Sequence, residues 1–318
     1  MKAVDTQTLG TLLLASGMVG AFLMPSLTVV LAPVAMPALF AVACFSFASL
    51  VDQSKAQLFP LDRTTWLVVG WQQVVLPSLV LAAAILLDID KQTTSMMIVT
   101  ACAGSLFASP MLAGLLDLDQ KRALQTLVVS TAVMPVSLYV FELIAHNEHA
   151  NLDLQSYISR AAIFLGIPLI LLWIYIRISQ NFSAARSRSL QVVFHWASLI
   201  ALILFAIGIM QPVSEELSAN PTKVVFYLLL AVFMTTIMYA LTAVVMYRFG
   251  PREAMTSAIL AGLRNVGLAL ALLNDQLGSD LPLYVGVSMI PMCLAPVLLR
   301  LSSRLHDNAP AGQSYAQS

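Results

Sequence analysis

An arginine stands alone at the centre of EAMTSAILAGLRNVGLALALLND, the stretch Glu253–Asp275. Eleven residues separate Arg264 from either acid, about 16 Å of helix each way at ~1.5 Å per residue. That distance is about half of a ~30 Å hydrocarbon layer, so a helix here puts the guanidinium near the midplane, too deep to snorkel out. Gly262, Asn265 and Gly267 surround it, residues that let a helix loosen and free its backbone groups. A guanidinium is a permanent planar cation that only donates. At that depth it suits a carboxylate, sulfonate or sulfate, or takes the place of a bound cation. The plainer alternative is a structural arginine held by helix-end carbonyls. No acid lies at comparable depth in the sequence, so no ion-pair partner is predicted. A membrane helix broken at mid-depth around a polar cluster is the arrangement of a transport site.

The elements that position this cluster follow from composition. Hydrophobic residues make up 59% and charged residues 10% of the 318, with a mean hydropathy of +0.86. Soluble domains carry about 25% charge, so the chain reads as an all-α polytopic membrane protein. Formal net charge is zero and no basic block stands out, which excludes a nucleic-acid binder. Cys44, Cys102 and Cys293 lie far apart in apolar runs and read as packing residues. Lys2 precedes the apolar Leu9–Leu23, but Asp5 sits beside it and the apolar run continues, so this is read as a first membrane helix.

Thr6–Val51 holds no charge and divides into two spans near Pro25. Further spans follow at Thr64–Leu87, Gln92–Leu116, Ala123–Phe141, Ala161–Ile176, Ser189–Ser214, Val224–Tyr247, Ala254–Asn274 and Leu281–Leu299, ten in all. With the N-terminus inside, twelve Lys and Arg fall on the cytoplasmic side. Only Lys91, Arg160 and Lys223 fall outside, and Arg264 is left within the membrane. Both termini are therefore expected in the cytoplasm, with the chain in the inner (plasma) membrane. Ten spans split into two inverted five-helix repeats, 1–145 and 157–303, followed by a polar tail, 304–318. The fourth span, AGSLFASPMLAGLLD, echoes the ninth, AGLRNVGLALALLND; aligned on Gly104 and Gly262, both reach an aspartate, Asp117 and Asp275. Inverted repeats interrupted at matching places put a site where the two breaks meet.

GLRNVGLALALL resembles the ninth helix of the bile acid:sodium symporter superfamily, where GMQN-x-GLA is usual. ASPMLAGLL followed by Pro135 is similar to that family's SNVMTYLA segment and downstream proline. WQQVVLP, Trp71–Pro77, is similar to its third-helix Q-F-x-x-x-P segment, with Gln72 on the glutamine. The resemblance implies an elevator-like transporter in which helices 1, 2, 6 and 7 form a panel. Helices 3–5 and 8–10 then form a core, with discontinuous helices 4 and 9 crossing. Together with the depth of Arg264 and the two breaks, it leads to an expected substrate site at Arg264, Asn265, Ser109, Pro110, Gly262 and Gly267, supported by Gln72, Ser105 and Thr131. Of these only Gln72, Ser109 and Asn265 remain from the family pattern. Gln72 and Gln73 are adjacent, so a helix is expected to turn only one of them toward the core. Ser130 and Thr131 are expected to bond back to their own helix.

The departures from the family carry their own expectation. The Ser-Asn pair of its sodium site reads Ser109-Pro110 here. Run ungapped, the helix 5 hydroxyls fall on Ala123 and Leu127, the sodium-binding glutamate on Leu260 and the glutamine on Arg264. A guanidinium repels sodium and offers it no oxygen. The expectation is therefore a secondary transporter of a small organic anion, not an enzyme, with no cofactor, no metal and no sodium. Its expected partners are the anionic solute and the lipid bilayer, with a homodimer as the oligomeric option. The alternatives are a sodium-coupled symporter of the same family, an arsenite-type permease using Cys102, and, in a different class, a channel or sensor. An intramembrane enzyme would need an acid pair, a Ser/His dyad or HExxH, and the spans carry none.

Overall fold

The computed structural model describes residues 24–54, 61–107, 118–146, 153–179, 181–273 and 280–307, together with 20, 109, 110, 113 and 116. The described chain is a multi-pass, all-α membrane protein. Its helices are α1 (Pro25–Ser54), α2 (Arg63–Leu86), α3 (Lys91–Cys102), α4 (Gln120–His146) and α5 (Leu154–Ser179). They continue with α6 (Ala184–Gly208), α7 (Gln211–Ala219), α8 (Pro221–Met246), α9 (Pro251–Gly262), α10 (Val266–Leu273) and α11 (Asp280–Asp307). Among the described residues, six helical stretches are long and apolar enough to cross a membrane: Pro25–Ser46, Arg63–Leu86, Gln120–Ala145, Leu154–Ser179, Ser189–Ala219 and Pro221–Phe249. Of the other four expected spans, the first lies outside the described residues. Gln92–Leu116 and Ala254–Asn274 are each interrupted, and Leu281–Leu299 falls within α11.

Long uncharged runs form these helices because hydrocarbon leaves backbone groups no partner but each other. Outward faces are apolar, as at Val30, Leu86 and Val244. Short polar residues start the helices: Asp90, Asp153, Ser183 and Asn220 each accept a backbone N–H from the first turn of the helix that follows. At Asp90 the N–H of Thr93 holds the carboxyl below its ordinary range. Boundaries differ from expectation at several helices, among them α5, which begins at Leu154 ahead of Ala161, and the seventh span, which breaks after Gly208 into α6 and α7. α4 continues past Phe141 to His146, and α11 runs to Asp307, three residues beyond Arg304. Amphipathic turns at a membrane edge continue a helix beyond its apolar stretch, so charge alone places helix ends too early.

α1 packs along α6, and a Cβ on Gly208 would fall 2.6 Å from the Leu31 carbonyl oxygen, so that contact requires glycine. α8 packs on α9 and α11, and α3 on α4 and α2. Two ionic knots hold the rim. Arg122 on α4 pairs with Glu253 on α9 and lies 3.9 Å from Asp119 and 4.0 Å from Asp62. Lys223 and Tyr227 on α8 bond the Asp280 carboxylate at the start of α11, at 2.7 and 2.8 Å. The Arg122 knot makes Asp119 part of a tie between helices.

Candidate functional site

Two helices stop inside the bundle. α3 ends at Cys102 and its C-cap Ala103 is extended, with φ −54° and ψ 140°; α9 ends at Gly262 and Leu263 is likewise extended. The two extended segments meet as an antiparallel bridge between Ser105 and Arg264. Leu106 N–H donates to the Leu263 carbonyl at 2.9 Å and Asn265 N–H to the Gly104 carbonyl at 2.8 Å. The pairing sets Ser105 against Arg264, one residue out of step with the alignment of Gly104 on Gly262. A Cβ on Gly104 would lie 3.2 Å from Thr131 Cα and Oγ1, so α4 lies directly against the crossing.

A helix that ends in a low-dielectric interior leaves carbonyls without donors and a partial negative charge at its end. Arg264 meets that need. Its side chain is fully buried, and Nε donates to Ala261 O at 2.8 Å, Nη1 to Ala103 O at 2.8 Å and Nη2 to Gln72 O at 3.3 Å. One guanidinium thus caps the ends of both interrupted helices and reaches α2 as well, which is the arrangement expected of a structural arginine held by helix-end carbonyls. Ser105 Oγ answers from the other segment, its single proton shared between Leu260 O at 3.0 Å and Gln72 Oε1 at 3.3 Å. At the next restart, Asn265 Oδ1 accepts from Leu268 N–H at 3.2 Å and so caps α10. Arg160 on α5 closes the far end of α10, with Nη1 3.3 Å from Leu273 O.

The third element of the site is a π-turn, Trp71–Val75, inside α2. Its cause is Pro77. With no N–H, Pro77 cannot serve the Gln73 carbonyl, and Leu76 N–H reaches back to Trp71 O. Two carbonyls are released, and both are taken by side chains: Gln72 O by Arg264, and Gln73 O by Ser137 Oγ at 2.6 Å. The widened turn also buries both glutamines, correcting the expectation that only one faces inward. Of the remaining predicted residues, Ser109 and Pro110 are helical and buried just beyond the break. Gly262 packs against Tyr239 and the Thr235 carbonyl, and Gly267 against the Phe205 ring. These two glycines serve close helix contacts and do not stand open to a ligand. Asp117 and Asp275 lie outside the described residues.

Several buried polar atoms around the crossing make no hydrogen bond: Gln72 Nε2, both amide atoms of Gln73, Ser109 Oγ, Thr131 Oγ1 and Asn265 Nδ2. Ser130 does more than bond back to Leu127, since its Oγ also accepts the Ser105 N–H at 3.2 Å. Sequence reasoning weighed Gln73 but left it out of the site, and passed over Ser137 and Glu142. Glu142 is fully buried on α4 with Ser95 Oγ 3.3 Å from its carboxylate, eleven residues and about 16 Å of helix from Thr131. The bundle therefore does contain a buried acid, well away from the depth of Arg264. For the glutamines the available signal was Pro77, placed to open the turn beneath QQ. Neither a protein-family model nor a curated protein matches the chain.

Proposed function

We propose that the chain is a secondary transporter of a small organic anion, working by alternating access in the elevator-like manner of the superfamily it resembles, and without sodium. The observation that carries this reading is the pairing of two interrupted helices around a buried guanidinium, with Asn265 Nδ2 and Gln72 Nε2 left without partners at the crossing; the three carbonyls on Arg264 would by themselves suit a structural arginine. Carbonyl oxygens gathered from broken helices are cation ligands in membrane proteins. Here the cation is part of the chain, and its place in the family pattern is that of a sodium-binding glutamine. Carbonyl dipoles screen the charge without cancelling it. The unpartnered donors of Asn265 and Gln72 offer an anion hydrogen bonds in the same region.

A fixed charge has a consequence for the transport cycle. Moving an uncompensated cation through hydrocarbon is costly, whereas a bound anion neutralises it. The loaded form then crosses and the empty form does not, which makes exchange the preferred mode. In this reading the two interrupted segments belong to inverted repeats, helices α2–α4 and α8–α11 form the moving core, and both termini face the cytoplasm of a cell membrane.

Counterflow in proteoliposomes tests the proposal. Vesicles loaded with an unlabelled organic acid should accumulate the labelled acid equally in sodium and in choline, while net uptake into empty vesicles stays slow. Arg264→Gln should reduce counterflow by roughly 100-fold, the worth of one charge-assisted contact of about 3 kcal/mol. Sodium-dependent uptake, or undiminished counterflow in that variant, would overturn the reading.

A further inference from the structure

The π-turn leaves a glutamine that nothing in the fold answers. Gln73 is 1% exposed, and neither its Nε2 nor its Oε1 has a hydrogen-bond partner. Buried amides that make none of their hydrogen bonds are costly and rare in native proteins. The main chain beneath it is firmly placed. Ser137 holds the Gln73 carbonyl, Arg264 holds the Gln72 carbonyl, and Trp71 Nε1 donates to Thr242 Oγ1 at 2.8 Å. A turn pinned from α4, from α8 and from the segment between α9 and α10, carrying an amide that bonds to none of them, is the form of a binding group awaiting its ligand. Gln72, beside it, gives its Oε1 to Ser105, whose segment pairs with Arg264, so the turn adjoins the crossing directly.

We infer that Gln73 is a substrate-recognition residue and that the anion carries, beside its acidic group, a second group that both donates and accepts, such as a hydroxyl. This rests on the anion-transport reading above. The chemistry follows from the carboxamide, which presents a carbonyl acceptor and N–H donors in one plane. A hydroxyl satisfies both. Sulfate or a plain alkyl carboxylate, being acceptor-only when ionised, leaves Oε1 unanswered, and a purely apolar substituent leaves both atoms unanswered. A site built to pair a substrate hydroxyl rejects the analogue that lacks it, because its own polar groups are then stranded.

The test is binding of acid pairs that differ by one hydroxyl: lactate against propionate, malate against succinate, and 2-hydroxyisovalerate against isovalerate. Affinities are measured for the purified wild-type protein, Gln73→Leu and Gln73→Met, the methionine variant matching glutamine closely in volume. At least one pair should show a preference of about tenfold or more for the hydroxy acid in the wild type. In both variants that preference should shrink to within about twofold, through weaker binding of the hydroxy acid while the plain acid binds as before. A preference that survives both substitutions, or wild-type binding of acids with no preference in any pair, overturns this inference and leaves the transporter reading standing. If neither variant folds, the wild-type ratios decide in the same way. A wild-type protein that binds none of the acids overturns both.

Discussion

The described residues contain two π-turns built the same way and used differently. Trp71–Val75 in α2 and Ala162–Gly166 in α5 are each followed by one residue and then a proline, Pro77 and Pro168, and in each the intervening N–H reaches back to the first carbonyl of the turn. The second turn reads AIFLG, and its Ile163 is 49% exposed on the outer, apolar face. The first turn buries two glutamines, and its released carbonyls are taken by Arg264 and Ser137. The proline sets the backbone in both places. What makes only the first of them part of the candidate site is the donors that neighbouring segments bring to it.

That contrast can be broken most severely at Arg264. Arg264→Ala removes the donors of three buried carbonyls at once, and the expected loss of stability is about 3–5 kcal/mol, measured by thermal unfolding in detergent. Ser137→Ala strands the Gln73 carbonyl and should cost about 1–3 kcal/mol in the same assay. Pro77→Ala restores an N–H beneath Gln73, allows the turn to close to an α-helix and rotates the two glutamines apart. Acid binding should fall about tenfold with the fold retained, while Pro168→Ala in the apolar turn leaves binding within about twofold. The smallest effect is expected at the rim, where Tyr227→Phe removes one of the hydrogen bonds on Asp280. That change should cost about 1 kcal/mol and leave acid binding untouched.

Much of this arrangement was legible in the sequence. Uncharged runs marked the helices, and the pair of Gly-containing segments around Ser105 and Arg264 marked where two of them stop. The register of their pairing was not legible to the residue, because Gly104 and Gly262 look alike in sequence but play different parts. Gly104 admits α4 to the crossing, whereas Gly262 ends α9 against α8. The partners of Arg264 were legible only as a class, the helix-end carbonyls of the structural alternative, and not by residue. They are main-chain oxygens, which every residue carries, so no side-chain pattern announces them. Gln73 was left out of the site for a third reason: a regular helix turns adjacent residues to different sides, and only the π-turn forced by Pro77 brings both glutamines inside. Glu142 was placed beyond the end of its span by a charge count, yet α4 carries it buried.

The most direct test of the central claim is the thermal stability of the purified protein in sodium against choline at equal ionic strength, with and without a panel of small organic anions. The account predicts the same melting temperature in both salts, because the crossing already holds its cation in Arg264. It also predicts a rise with organic acids, worth about 2.7 kcal/mol at a hundredfold excess over Kd. Stabilisation by sodium alone, with no response to any anion, would contradict it.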